Sequence, residues 1–273
     1  MGVRLLVVGG GRMGTAMIGG LIARGWGAAG EIAVVEPAAD RRAELEAEHP
    51  DLIVLGSLGP TGSTSVAVPE VADALLAVKP DVAELACRQL ASAGVTRVLS
   101  IVAGVPARRL EDSLAEGTVV VRAMPNTPAL VGAGVSAMSG GSVATDADLD
   151  WAEGLLAAVG TVVRLPERHL DAVVGLSGCG PAYFFVVVEA LVEAGVLVGL
   201  PRDLAATLVV ETMAGSAKLL AETGEAPDSL RAAVTSPGGA TAAGLRSLEA
   251  RGARSAFLEA VVSATERSRT LGH

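Results

Sequence analysis

The chain has 273 residues, enough for one large domain or two ordinary ones with a substantial buried core. A net charge of -9, with no Arg-rich block interleaved with aromatics, argues against nucleic acid as a partner. Apolar residues make up 51% but aromatics only 2%, so the core must be built from small side chains, chiefly Ala, Val and Leu.

The first strand candidate is "VRLLVVG", and it runs into "VVGGGRMGTAMIGG", which sets Gly9, Gly11 and Gly14 in the G-x-G-x-x-G spacing at the start of a helix. Gly9 permits a tight turn, Gly11 lets a dinucleotide pyrophosphate approach the backbone, and Gly14 lets helix and strand pack closely. The amides of the first helical turn, at Arg12, Met13 and Gly14, would then meet the phosphates. The second strand candidate, "EIAVVE", closes on Glu36, where an acid is expected to meet the adenosine ribose. A carboxylate there bonds a free 2′-hydroxyl and repels a 2′-phosphate, which favours NADH over NADPH. Arg41 and Arg42, a few residues on, either offset that repulsion or are solvated residues of an amphipathic helix, so the choice between the two cofactors stays open.

Further strand candidates are "ALLAV", "RVLSIVAG", "TVVVRAM" and "TVVRLP", alternating with helical stretches that include "DADLDWAEGLLAAVG". Such alternation indicates a parallel sheet wound with helices. Two loops at carboxyl ends of strands, Ala77, Val78, Lys79 and Pro80, and then Val102, Ala103 and Gly104, should line the groove for the nicotinamide half. Lys79 is one of two lysines and reads as a loop-positioning residue rather than a catalytic one. "MPNTP", residues 124–128, is a rigid proline-flanked turn in which Asn126 and Thr127 either touch ligand or close the turn.

After Pro166 strand runs cease, and 167–198, 202–222, 227–235 and 241–268 read as helices separated by Gly or Pro signals. The domain boundary is therefore expected near 165, giving domains 1–165 and 166–273. The most apolar stretch, "YFFVVVEALVEAGVLVGL", carries Glu189 and Glu193 four apart on one helical face, as expected of a soluble helix rather than a membrane span. Long apolar faces with little to cover them point to a helical dimer interface. Near the C-terminus "TSPGGATAAGL" interrupts the helical pattern, so the amides after Ser236, Gly238 and Gly239 form a site for an anion such as a carboxylate. Thr241 either donates a hydrogen bond to a bound ring nitrogen or is a plain helix N-cap.

Cys87 and Cys179 are too few for a disulfide framework or a thiolate cage, and the N-terminus passes straight into a strand-like run, so a reducing cytoplasm is the expected home. His49, His169 and His273 lack metal-ligand spacing, and no metal is expected. No histidine or lysine sits in an acid–base constellation, which suits an imine, whose reduction needs little acid help.

Taken in order, "GGGRMG", "AVKP", "VRAMPNTPALVGAGV", "LDAVVGLSGCGPAYFF", "GLPRDLA" and "VTSPGGATAAGLRSLE" closely resemble the pyrroline-5-carboxylate reductase family from the first strand to the final helix. The resemblance implies an α/β fold with an N-terminal Rossmann dinucleotide-binding domain, followed by an all-α dimerisation domain that interlocks with its twin. It also implies a homodimer or higher assembly of dimers, with sites completed across the dimer. The implied reaction is hydride transfer from NADPH or NADH to 1-pyrroline-5-carboxylate, giving L-proline; the family commonly uses NADPH. Ser236, Gly238, Gly239 and Ala240 would hold the substrate carboxylate, Thr241 would bond the ring nitrogen, and the Asn126 turn would lie near the cleft. Two positions depart from the family pattern: Cys179 stands where serine is frequent, and Glu36 replaces small polar residues. One rival reading is an enzyme of similar build, a reductase of hydroxy acids or a deazaflavin-linked NADP oxidoreductase, though the hydroxy-acid version wants a lysine that the helix 181–198 lacks. Another is a dinucleotide-binding redox sensor without turnover, and the intact "SPGGAT" argues against it.

Overall fold

The structure is a computed structural model describing residues 2–58 and 71–271; His273 lies outside the described residues. The chain divides into two compact units, Met1–Cys179 with Ser263–His273, and Gly180–Val262.

The first unit is built on eight strands: β1 (Leu5–Val8), β2 (Ile32–Val35), β3 (Ile53–Leu55), β4 (Asp73–Leu76), β5 (Arg97–Ser100), β6 (Val119–Met124), β7 (Gly134–Gly140) and β8 (Gly160–Arg164). They lie in the order β3-β2-β1-β4-β5-β6-β7-β8. The first six run parallel in the doubly wound order, and the strand order reverses between β1 and β4, where such sheets bind ligands. Helices α1 (Arg12–Ala23), α2 (Ala39–Glu48), α3 (Ala83–Ser92), α4 (Ala107–Glu111), α5 (Asp146–Leu156) and α6 (Leu170–Val173) belong to this unit.

Runs such as "LLVV" and "IAVV" are apolar at every position because both faces of the sheet are covered. Leu5, Val7, Ile32 and Val34 face one core with Met17, Ile18 and Leu21 of α1 and Leu155 of α5. Leu6, Val8, Ala33 and Val35 face the other with Cys87 and Leu90 of α3 and Leu110 of α4. Each fully buried Leu contributes about 2 kcal/mol of transfer free energy.

The sheet is not wholly parallel, as its alternating pattern suggests: β6 and β7 pair antiparallel. A short turn, Thr127–Val131, joins them, and a connection without a crossover helix returns the chain only in the opposite direction. Strands β3 and β7 are additional to the six sequence runs. β7 reads "GVSAMSG", with one β-branched residue, so its strand character comes from pairing on both sides rather than from propensity.

The second unit holds α7 (Gly180–Leu197), α8 (Arg202–Thr223), α9 (Pro227–Ala233), α10 (Ala240–Ala250) and the first half of α11 (Ala253–Leu271). The single helix expected over 241–268 is two, because Gly252 at φ 71° takes the left-handed position that ends α10 after its Arg251 cap. The expected helix over 167–198 is one helical run, Glu167–Leu197, interrupted by a π turn at Val174–Gly178. This run and α8 are long and apolar enough, by length and composition, to cross a membrane.

Gly195 packs against Ala205 where α7 meets α8, yet only Gly180, Pro181, Val192 and Ala205 are buried in the whole unit. Phe184 and Phe185 are about 60% exposed, and Leu191, Leu204, Leu208, Phe257 and Leu258 are exposed as well. These helices therefore leave broad apolar faces uncovered within one chain.

Candidate active site

The glycine turn after β1 sits at the reversal of strand order. Gly9, at φ 104°, donates its amide to the Val35 carbonyl, and a Cβ there would lie 2.6 Å from the Ala77 carbonyl oxygen. A Cβ on Gly14 would strike the Gly9 carbonyl oxygen, so helix and turn are in backbone contact. Around Gly11, by contrast, nothing lies within 4 Å of a Cβ position, and this residue is the exposed N-cap of α1. The first amide bonded into the helix is that of Thr15, to Gly11. The amides of Arg12, Met13 and Gly14 therefore lack helical acceptors and no side chain caps them, so these backbone donors are left for a ligand. This cradle fits a dinucleotide pyrophosphate.

Glu36 follows β2 and is 9% exposed. Its Oε2 accepts from the Gly10 amide at 2.9 Å and its Oε1 from the Ala38 amide at 2.9 Å. The acid expected at the ribose thus also braces the glycine turn. Arg41 and Arg42 are not simply solvated. Arg41 Nε donates to the Gly10 carbonyl at 2.8 Å and Nη2 to Thr15 Oγ1 at 2.7 Å, and Arg41 also pairs with Glu44. Arg42 Nη1 donates to the carbonyls of Glu36 and Pro37. Sequence reasoning singles out Arg41 for its charge near the ribose but misses these braces, and Thr15 does not stand out from an ordinary helix residue until the turn brings the two together.

Ala77 and Val78 are half-buried beside the glycine turn, and exposed Lys79 caps the short turn Pro80–Val82 through its carbonyl. Val102, expected to line the groove, is 2% exposed and packs into the second core, so its side chain is excluded from a groove-lining role. Gly104, at φ 75°, is buried too, which leaves Ala103 as the half-exposed member of that loop. Asn126, at 9% exposure, is held at both ends of its amide: Oδ1 accepts from the Val135 amide at 2.8 Å, and Nδ2 donates to the Ser177 carbonyl at 3.1 Å. Its side chain ties the turn after β6 to the π turn, whose irregular bonding lets a carbonyl reach a partner outside its helix.

In the second unit, Ser236 to Gly239 form a tight turn closed by the Gly239 amide on the Ser236 carbonyl, with Pro237 second and Gly238, at φ 69°, third. Gly239 is the N-cap of α10 and no side chain caps the helix, so Thr241 is not its cap. Ala240, Thr241 and Ala242 precede the first helical bond, from the Ala243 amide to Gly239. Their amides are open, and Thr241 is exposed. Ser236, Gly238, Gly239, Ala240 and Thr241 thus come together as one exposed, anion-ready helix start.

Burial pushes the Cys87 thiol up to about 11, with Glu84 adding to the effect, so it is no nucleophile. Among the described residues no group of three His, Cys, Asp or Glu side chains could hold a metal ion.

A doubly wound sheet with a glycine turn at its strand-order reversal, followed by a helical unit with an anion-ready turn, defines a nicotinamide-dinucleotide oxidoreductase. Residues 167–271 match a family model described as pyrroline-5-carboxylate reductase dimerisation, and residues 4–104 one described as NADP oxidoreductase, coenzyme F420-dependent. The chain is 42% identical to a pyrroline-5-carboxylate reductase of Synechocystis sp., across 100% of this chain and 99% of that one. It is similar to a solved pyrroline-5-carboxylate reductase from Coxiella burnetii, at TM-score 0.86 and 30% identity, with both chains covered in full. It is also similar to the Plasmodium falciparum pyrroline carboxylate reductase solved with NADP bound, at TM-score 0.85 and 27% identity, covering 99% of this chain and 98% of that one. The chain belongs to the pyrroline-5-carboxylate reductase family.

Proposed function

We propose that this protein reduces 1-pyrroline-5-carboxylate to L-proline with a reduced nicotinamide dinucleotide. The observation that carries the reading is the pair of uncapped glycine turns in one chain, each presenting three open amides at the start of a helix of eleven or twelve residues. One suits a pyrophosphate and the other a carboxylate.

When bound, the dinucleotide supplies a hydride to the imine carbon. The chain's residues do the rest. The amides of Ala240, Thr241 and Ala242 hold the substrate carboxylate, and Gly238 and Gly239 keep side chains out of its way. The Thr241 hydroxyl bonds the ring nitrogen and stabilises the amine that develops there. Neutral water already protonates part of the imine, so alignment rather than strong acid catalysis is the main task.

For the cofactor we read NADH as preferred over NADPH. The Glu36 carboxylate is fixed by two backbone amides and cannot withdraw from a 2′-phosphate without releasing the Gly10 amide. Arg41 and Arg42 are already engaged by backbone oxygens. The uncovered faces of α7, α8 and α11 are read as the interface of a homodimer rather than a membrane surface, and the protein as cytoplasmic. A spectrophotometric assay with 1-pyrroline-5-carboxylate and each reduced nicotinamide tests the reaction and the cofactor preference. Oxidation of neither dinucleotide overturns the reaction, and a strong NADPH preference overturns the role given to Glu36.

A further inference from the structure

We propose that Arg41 and Thr15 are positioning residues that aim the Gly11 amide at the dinucleotide pyrophosphate. The inference rests on the reading of the glycine turn as the dinucleotide site. The Gly10 carbonyl accepts from Arg41 Nε at 2.8 Å and from Thr15 Oγ1 at 3.1 Å, and Arg41 Nη2 donates to that same Thr15 oxygen at 2.7 Å. The three groups form a closed ring. In a planar trans peptide the carbonyl and the following N–H point in opposite directions. Gripping the Gly10 carbonyl therefore turns the Gly11 N–H to the other side, and Gly11 is the exposed residue with nothing within 4 Å of its Cβ position.

On the neighbouring peptide, the Gly10 amide is held by Glu36 Oε2 at 2.9 Å. Gly10 is thus clamped at both its N–H and its C=O, and with no side chain at positions 9 to 11 the turn has no stiffness of its own. Loosening either grip lets the peptide plane rotate, and the amide is then no longer preorganised for the phosphate. Because the pyrophosphate is common to both nicotinamide dinucleotides, the two should feel Arg41 equally. A guanidinium that touched a 2′-phosphate would matter for NADPH alone.

The test is direct titration of NADH and NADPH onto the full-length protein and its variants Arg41→Met, Thr15→Val and the double substitution, with apo melting temperatures alongside. Wild type binding neither dinucleotide would refute the underlying reading of the turn rather than the clamp. With wild type binding, the clamp requires both dissociation constants to rise by the same factor in Arg41→Met, about tenfold for a charge-assisted hydrogen bond. Thr15→Val should produce a smaller rise, and the double variant should be no weaker than Arg41→Met, since both side chains act through one carbonyl. Unchanged constants in Arg41→Met, a rise confined to NADPH, or fully additive effects would each overturn the proposal. Should Arg41→Met melt before titration, Thr15→Val alone decides: an equal rise for both dinucleotides supports the clamp, and none overturns it.

Discussion

The two glycine turns of this chain solve the same problem under different conditions. Each delivers a helix with an uncapped N-terminus and three open amides. The turn after β1 is sunk into its unit, with Gly9 against Ala77 and with Glu36, Arg41 and Thr15 gripping Gly10. The turn before α10 is exposed and held mainly by its own Ser236–Gly239 hydrogen bond and the constraint of Pro237. The contrast shows that one chain supplies the shape of the glycine turn after β1 by packing. For the anion turn it supplies only local turn chemistry, in a unit where four residues are buried.

Substitutions can break or sharpen that contrast. Gly14→Ala should have the largest effect: its methyl meets the Gly9 carbonyl, overpacking costs about 3 kcal/mol, and dinucleotide binding disappears with the fold of the turn. A lowered melting temperature and a flat titration would register both. Thr241→Ala comes next, reducing kcat/KM about a hundredfold, the scale of one hydrogen bond made in the transition state. Since Gly239 rather than Thr241 caps α10, the melting temperature and dinucleotide affinity should stay unchanged. Unaltered steady-state kinetics would remove Thr241 from the reaction.

Gly11→Ala separates shape from approach. Its φ of -67° and its empty surroundings predict stability within about 0.5 kcal/mol of wild type. Dinucleotide affinity should nonetheless fall about tenfold, as the methyl enters the phosphate's space. Equal losses of stability in Gly11→Ala and Gly14→Ala would erase the distinction between them. The smallest effect belongs to Gly238→Ala, where the left-handed φ of 69° costs an L-residue about 1 kcal/mol in a turn that no packed neighbour reinforces. The expected result is a rise of a few fold in substrate KM with kcat/KM for the dinucleotide unmoved.

Much of the glycine turn was legible in the sequence because each glycine answers a local steric demand at fixed spacing. Gly9 has a positive φ, Gly14 touches backbone, and Gly11 faces open space. The same holds for the anion turn, where Pro-Gly-Gly stops one helix and starts another. Glu36 was only half legible: its place at the end of β2 follows from the strand pattern, but its bonds to Gly10 and Ala38 do not. Asn126 looked like either a ligand contact or a turn residue, and its bond to Ser177 links positions 51 apart in sequence. The direction of the Val102 side chain was not legible, because a loop position at a strand end says nothing of which way its side chain turns; here it faces the second core. β7 escaped notice because alanine, serine and glycine carry little strand propensity.

What the sequence by itself determined is whatever depends on neighbours along the chain: strand runs with two apolar faces, helix stops at glycine and proline, and two turns whose glycines leave amides open. Tertiary structure alone decided the antiparallel return of β7, the inward turn of Val102, the tether on Asn126 and the grip of Glu36, Arg41 and Thr15 on Gly10. The physical reason is range. Backbone sterics act over a few residues and leave a pattern that can be read, whereas a hydrogen bond or a packing contact between distant positions exists only once the sheet has brought them together.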